Sequence, residues 1–210
     1  MLDRFRIFWT NVVKPVATLL IRLGVSPDMV TVIGTLGVVG GALVFFPTGH
    51  LWLGVVVIAV FVFSDLIDGY MARTLGLSSK WGAFLDSTLD RLGDSAIFAG
   101  LAIWLFGGGG DRLTGYVALW ALVMGSVTSY ARAKAESLGM TAKGGIAERA
   151  DRLVAVLVLT FFSDVLDLPI LLSIVLWALA AASTITVVQR MVLVRRQALA
   201  EPRPQPGQPA

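Results

Sequence analysis

The sequence predicts an all-α, polytopic membrane protein: six transmembrane helices preceded by an amphipathic helix on the membrane surface. Three observations carry that expectation. Hydrophobic residues make up 56% and charged residues 15% of the 210 positions, and the mean hydropathy is +0.80, far from a soluble domain. Six apolar stretches reach, or nearly reach, the roughly 20 residues needed to cross ~30 Å of hydrocarbon. Finally, every lysine and arginine except Arg112 falls at connections on one side of the alternating spans, the cytoplasmic side by the positive-inside rule.

Residues 1–24 form the first unit. Phe5, Phe8, Trp9, Val12, Val16, Leu19, Leu20 and Leu23 recur at helical spacing among Arg4, Arg6, Lys14 and Arg22, as in a helix lying in the membrane surface. The charges rule out a signal-peptide core, and Lys14-Pro15 allows a bend. Gly24-Val-Ser26-Pro27-Asp28 then supplies a loop, an N-cap and an N1 proline.

Spans are expected near 28–46, 51–74, 82–106, 113–136, 147–165 and 168–192, within a six-helix transmembrane unit over residues 25–196. The second, third and fifth reach spanning length only by including charged ends: Asp65 to Arg73, Asp86 to Asp94, and Glu148 to Arg152. Those ends should lie together. Short connections imply antiparallel neighbours in one bundle. Gly34, Gly37, Gly40, Gly41 and Ala42 suggest close helix packing in the first span, and Gly125, Ser126 and Ser129 in the fourth. Gly107 to Gly110 lies on the outer side and reads as a turn rather than a phosphate cradle. The tail over 197–210, rich in proline and without apolar periodicity, is expected to be disordered.

Four carboxylates stand out. Asp65 and Asp68 are three residues apart and Asp86 and Asp90 four apart, so each pair lines one helix face. Ionised groups in apolar sequence cost several kcal/mol unless compensated. With no cysteine in the chain and a lone histidine, His50, in a turn, an all-oxygen donor set suits a hard cation, and four acids suffice for two Mg²⁺ or Mn²⁺ ions. Paired divalent cations fit phosphoryl transfer. Gly69 and Ala72 leave the helix bare beside the acids, open to a phosphate. Simple pairing of the acids with Arg73 and Arg91 is the plainer alternative, and a divalent-cation transporter is a rival from another class. A transporter should spread acids through the membrane depth, whereas here the outer half of every span is apolar.

The pattern Asp65-x2-Asp68-Gly69-x2-Ala72-Arg73-x8-Gly82-x3-Asp86-x3-Asp90 resembles the signature of the CDP-alcohol phosphotransferases at every fixed position. The resemblance extends over most of residues 1–195. It implies transfer of a phosphatidyl-type group from a CDP-alcohol to an acceptor hydroxyl with release of CMP, and a homodimer. By that resemblance Asp65, Asp68 and Asp86 bind the metals, and Asp90 completes the site and acts as base. Asp94 lies one turn further along, more a supporting residue than a ligand. Arg73 neutralises a donor phosphate, with Gly69, Ala72 and Gly82 beside it. Asp28 and Thr31, in Pro27-Asp28-x2-Thr31, resemble the family's cytidine-side contacts, although a helix cap also accounts for Asp28.

The remaining polar ends bear on the acceptor. Ser129-Tyr-Ala-Arg132-Ala-Lys134-Ala-Glu136, Glu148-Arg149-Ala-Asp151-Arg152 and Gln189-Arg190 close or open the fourth, fifth and sixth spans. Their excess of cations favours an acceptor that is itself a phosphate, because guanidinium forks match phosphate oxygens. These runs are similar to those of the actinobacterial branch that couples CDP-diacylglycerol with inositol 1-phosphate. That branch implies that Ser129, Arg132, Lys134, Arg152 and Arg190 hold the acceptor phosphate. A branch using glycerol 3-phosphate shares part of the pattern and is the close alternative. The expected setting is the plasma membrane, with both termini and the site cytoplasmic, in contact with membrane lipids and without a nucleic-acid partner.

Overall fold

The structure, a computed structural model, describes residues 13–77, 79–146 and 148–200. It is all-α among those residues. The expected surface helix is described from residue 13 as α1 (13–22); its first part, including Arg4, Arg6, Phe5, Phe8 and Trp9, lies outside the described residues, as do residues 201–210. Val13 and Ala17 of α1 are buried against Val30 and Met71, which seats this short helix beside the polar end of the bundle. Val16, Leu19 and Leu23 remain exposed.

The first span is α2 (Pro27–Gly40), which widens into a π turn over Gly41–Phe45. Ser26 caps it, accepting from the Met29 amide at 3.2 Å, with Pro27 in the first turn. The second expected span is two helices, α3 (Leu51–Val62) and α4 (Ser64–Thr74), broken at Phe63. The Ser64 hydroxyl donates to the Phe61 carbonyl at 2.6 Å, and a hydroxyl inserted into the backbone ladder is a recognised cause of such a bend. The break falls two residues before Asp65.

The third span is α5 (Lys80–Phe106), capped by Ser79 accepting from the Gly82 amide at 3.0 Å. It is followed by α6 (Arg112–Ser137), α7 (Arg149–Val165) and α8 (Ile170–Ala200). The last helix continues through Ala200, so residues 197–200 are helical rather than tail. Gln197 fastens this extension by donating to the Thr141 carbonyl and accepting from its amide.

Four helical segments are long and apolar enough to cross a membrane: Pro27–Phe45, Leu51–Thr74, Arg112–Ser137 and Ile170–Ala200. The other two expected spans fall short for different reasons. Every 18-residue window of α5 contains Asp90, Arg91 and Asp94, and α7 has 17 residues. Large apolar side chains nevertheless face outward all round, among them Leu36, Val60, Leu113, Val154 and Ile174, as a lipid-facing surface requires.

The helices close into a ring. α2 packs on α3 and α5, α5 on α6, α6 on α8, α8 on α7 and α7 on α3, while α4 leans on α2. Away from the acids the ring is filled by Phe46, Ile58, Leu101, Val156, Leu176 and their neighbours. Close approach depends on small residues: a Cβ on Gly100 would lie 2.6 Å from the Ala42 carbonyl oxygen, and one on Gly34 or Gly37 would collide with Ser64 or Phe61. Gly40 meets nothing within 4 Å, so it does not share the packing role expected of it. Asp164 closes the apolar end, accepting from the Trp52 amide at 2.8 Å and so tying α7 to the start of α3. There the turn over Gly107–Gly110 wraps Trp104, and His50 precedes α3 with its Nδ1 3.2 Å from the Thr48 hydroxyl.

Candidate active site

The polar end of the ring holds two adjoining groups of side chains. Immediately after the break at Phe63, α4 presents Asp65 and Asp68; the first half of α5 presents Asp86, Asp90 and Asp94 at four-residue intervals on one face. Carboxylate oxygens of Asp65, Asp86 and Asp90 all lie within 4.8 Å of one another. Among the described residues neither Asp65 nor Asp86 has an ion-pair partner. Three converging carboxylates, two of them uncompensated, fit one or more hard divalent cations by donor chemistry and spacing.

Asp68 stands slightly apart. It is 8% exposed, and its Oδ2 accepts from the Thr31 hydroxyl at 2.5 Å. Thr31 thus connects the start of α2 to the carboxylate group through Asp68. Asp28, in the first turn of α2, accepts from the Trp81 indole at 3.0 Å; the cap is Ser26. The exposed Arg73 guanidinium lies over Gly69, 3.6 Å from where a Cβ would stand, and Ala72 is the small residue between them. Gly82 has only the Ser79 hydroxyl nearby, at 3.5 Å from an added Cβ.

Beside the aspartates is a cavity of about 580 Å³ lined by the polar ends of α5, α6, α7 and α8. Of the expected acceptor residues, Ser129, Arg132, Arg152 and Arg190 line it, whereas Lys134 is exposed and does not. Arg132 pairs with Glu136 at 3.0 Å. Arg152 is 3% exposed and donates from Nη2 to the Gly125 carbonyl at 3.4 Å. Gly125 therefore faces a guanidinium, in ordinary van der Waals range of an added Cβ at 3.5 Å, rather than the backbone of a neighbouring helix. Arg190, 5% exposed, donates to the Thr128 carbonyl at 2.6 Å and to the Gly144 carbonyl at 3.2 Å, fixing the Lys143-Gly144-Gly145 loop against α8.

Two arginines that sequence reasoning left without a site role also line the cavity, Arg91 and Arg149. Arg149 donates to Asp90 at 2.8 Å and to Asp94 at 3.2 Å. Arg91 bonds the Ser129 hydroxyl and lies 3.5 Å from Asp94. Asp94 is thus held by two guanidinium groups. The available signal was spacing: Arg149 precedes Arg152 by three residues on one helix face, and Arg91 directly follows Asp90.

The family model for CDP-alcohol phosphatidyltransferases matches residues 24–143. The chain belongs to the CDP-alcohol phosphatidyltransferase family. As a CDP-alcohol phosphatidyltransferase it carries the aspartate motif on α4 and α5 inside that match, while α7 and α8 lie beyond it. Comparisons with individual members cover nearly everything. The chain is 50% identical to the phosphatidylinositol phosphate synthase of Streptomyces avermitilis over 94% of its length and 84% of the relative. It is 52% identical to that of Cutibacterium acnes over 93% and 98%. The crystal structure of Mycobacterium tuberculosis phosphatidylinositol phosphate synthase with CDP-DAG bound is 42% identical, covers 88% of this chain and 94% of the other, and superposes with a TM-score of 0.84. The same Mycobacterium tuberculosis enzyme in complex with manganese and citrate gives a TM-score of 0.86 at 40% identity, over 94% and 96%. These likenesses make this phosphatidyltransferase a multi-pass membrane enzyme.

Proposed function

We propose that this chain is a phosphatidylinositol phosphate synthase, transferring the phosphatidyl group of CDP-diacylglycerol to a hydroxyl of inositol 1-phosphate with release of CMP. The observation that carries the reading is the pairing of the aspartate group with an adjoining cavity lined by five guanidinium groups: Arg91, Arg132, Arg149, Arg152 and Arg190. Glu136 and Glu148 are the only acids lining that cavity among the described residues, so its balance favours an anionic acceptor. The names of the relatives support the same choice.

The residues divide the work. Asp65, Asp68, Asp86 and Asp90 would hold two Mg²⁺ or Mn²⁺ ions, which supply charge neutralisation at the diphosphate oxygens of the donor. Asp28, Thr31, Gly69, Ala72, Arg73 and Gly82 form the donor side, and Arg73 offsets phosphate charge over the bare face at Gly69. Arg152 and Arg190, already anchored through backbone carbonyls, present preorganised guanidinium groups to the acceptor phosphate, with Ser129 and Arg132 completing the wall. Asp90 takes the proton of the acceptor hydroxyl as its oxygen bonds to the phosphorus that carries the diacylglycerol. The bond from that phosphorus to the CMP phosphate oxygen breaks, and CMP leaves with the electron pair.

We read α5 and α7 as spans as well, because each closes the ring between helices apolar enough to cross the bilayer. Six spans with the basic ends inside put both termini and the site at the cytoplasmic face of the plasma membrane. There a lipid donor keeps its acyl chains in hydrocarbon while a water-soluble acceptor enters from the cytosol. The family resemblance adds a homodimer. The test is CMP release by purified protein with CDP-diacylglycerol, Mg²⁺ or Mn²⁺, and either inositol 1-phosphate or glycerol 3-phosphate. Turnover with inositol 1-phosphate is expected; preference for glycerol 3-phosphate would overturn the acceptor assignment, and no CMP with either would overturn the enzyme reading.

A further inference from the structure

Two cavity-lining cations pair with Asp90, Arg91 at 3.8 Å and Arg149 at 2.8 Å, and Arg149 makes the closer contact. It lines the 580 Å³ cavity and also a small gap of about 20 Å³ shared with Asp65, Asp90 and Asp94. Its helix, α7, packs on α3 and α8, whereas α5 packs on α2 and α6. The bonds from Arg149 to α5 therefore cross the ring, and they form a fork: Nη2 to Asp90 Oδ1 at 2.8 Å and Nε to Asp94 Oδ1 at 3.2 Å.

Helix stability does not account for an arginine at this position. Arg149 is the first residue of α7, after Glu148, whose side chain makes no capping bond. A cation there opposes the helix dipole, which favours negative charge at the N-terminus. What favours Arg149 is the pair of aspartates one turn apart on α5, matched to the planar, two-pronged guanidinium. Lysine, with a single charged nitrogen, cannot hold both with the same geometry. Arg91 braces the far side, lying 3.5 Å from Asp94 while bonding Ser129 on α6.

We propose that Arg149 is a positioning residue: held by Asp94, its guanidinium fixes the Asp90 carboxylate at the boundary between the aspartate group and the acceptor cavity, aligning base and acceptor hydroxyl. The inference rests on the reading of Asp90 as base and of the basic cavity as the acceptor site. A carboxylate left to swing through its rotamers would still be present but misaligned, and misplacement by about 1 Å costs on the order of a hundredfold in rate. The loss belongs in kcat, because neither substrate is bound by the Arg149–Asp90 bond itself.

The experiment uses the full chain in detergent micelles containing CDP-diacylglycerol. Wild type is assayed first with inositol 1-phosphate and with glycerol 3-phosphate, so failure of the functional reading appears there; the variants are then compared with whichever acceptor turns over. Arg149→Met should lower kcat by about thirtyfold or more, while the KM of CDP-diacylglycerol and the Mn²⁺ affinity read by electron paramagnetic resonance stay within about threefold. Arg149→Lys should recover only a minor part of kcat. Asp94→Asn should lower kcat by about fivefold or more, and the double variant should be no worse than Arg149→Met within about twofold, because both act through one bond network. Wild-type kcat in Arg149→Met overturns the proposal. So does a loss confined to acceptor KM, a fall in Mn²⁺ affinity that tracks the rate, or additive losses in the double variant. If Arg149→Met does not accumulate as folded protein, Asp94→Asn decides, and a kcat within about twofold of wild type overturns the proposal.

Discussion

Replacing Thr31 by valine isolates one bond in the donor half of the site. The hydroxyl lies 2.5 Å from Asp68 Oδ2 and 3.1 Å from the Pro27 carbonyl; it has a single proton, and the shorter contact to the carboxylate takes it. Valine fills nearly the same volume, so no cavity opens at this buried position, and what is lost is one hydrogen bond to a charged acceptor. Such bonds are worth about 1.5–3 kcal/mol. At about 1.4 kcal/mol per decade that is roughly ten- to a hundredfold in transition-state stabilisation if Asp68 needs the bond to stay aligned. The assay is steady-state CMP release with CDP-diacylglycerol varied at saturating acceptor. Thr31→Val should lower kcat/KM for the donor by that range and leave the acceptor KM within about twofold, whereas Thr31→Ser, which keeps the hydroxyl, should stay within about threefold of wild type. Unchanged donor kcat/KM in Thr31→Val would refute the reasoning. Equal losses in valine and serine would do so too, because they would place the effect in methyl packing.

Asp90→Asn should abolish turnover while CDP-diacylglycerol binding remains measurable by calorimetry; retained turnover removes Asp90 as base. Arg190→Met should raise the acceptor KM by about tenfold or more, since it withdraws a charge-assisted contact, while Lys134→Ala, outside the cavity, should change it by less than about threefold; the reverse order would reassign the wall. Gly100→Ala should lower the thermal midpoint clearly because its Cβ meets the Ala42 carbonyl at 2.6 Å, whereas Gly40→Ala, with open space, should be neutral or slightly stabilising. At the opposite end of the bundle the Thr114 hydroxyl and amide, with Ser173 further off, hold the Asp111 carboxyl below the ordinary carboxylate range. A depressed folded pKa contributes stability above the unfolded pKa and loses it as pH falls through the folded value. Asp111→Ala should therefore lower the thermal midpoint at neutral pH, and the gap should close as pH falls below about 4; a gap independent of pH would place the effect elsewhere.

The convergence of the aspartates was legible because its information is local. Asp65, Asp68, Asp86 and Asp90 sit at helical spacings, so one face per pair follows from 3.6 residues per turn without any tertiary knowledge. The break at Phe63 was not legible, because it depends on Ser64 turning back to Phe61 beside a glycine of another helix. Gly125 shows the same limit: a small residue in an apolar helix reads as a packing contact, yet here its carbonyl accepts from Arg152, which arrives from 27 residues further on. Lys134 could have been separated from Arg132 on paper. Two residues apart on a helix is about 200° of rotation, so the two side chains leave α6 on nearly opposite sides. Charge counting grouped them because it ignores direction.

Arg149 illustrates what only ring closure reveals. Nothing within its own segment explains an arginine at a helix N-terminus, and its partners lie 55 and 59 positions earlier on a helix across the ring. The apolar packing around Phe46, Ile58, Leu101 and Leu176 holds that ring shut at the opposite end, so the polar end can stay open without the helices separating. On the proposed function an open end is needed, because a lipid donor and a water-soluble acceptor come from different phases and would meet at Asp90. A side chain from the acceptor wall that grips that carboxylate makes the two halves one geometry, and this is why a rigid apolar end and a wide basic cavity occur in the same bundle.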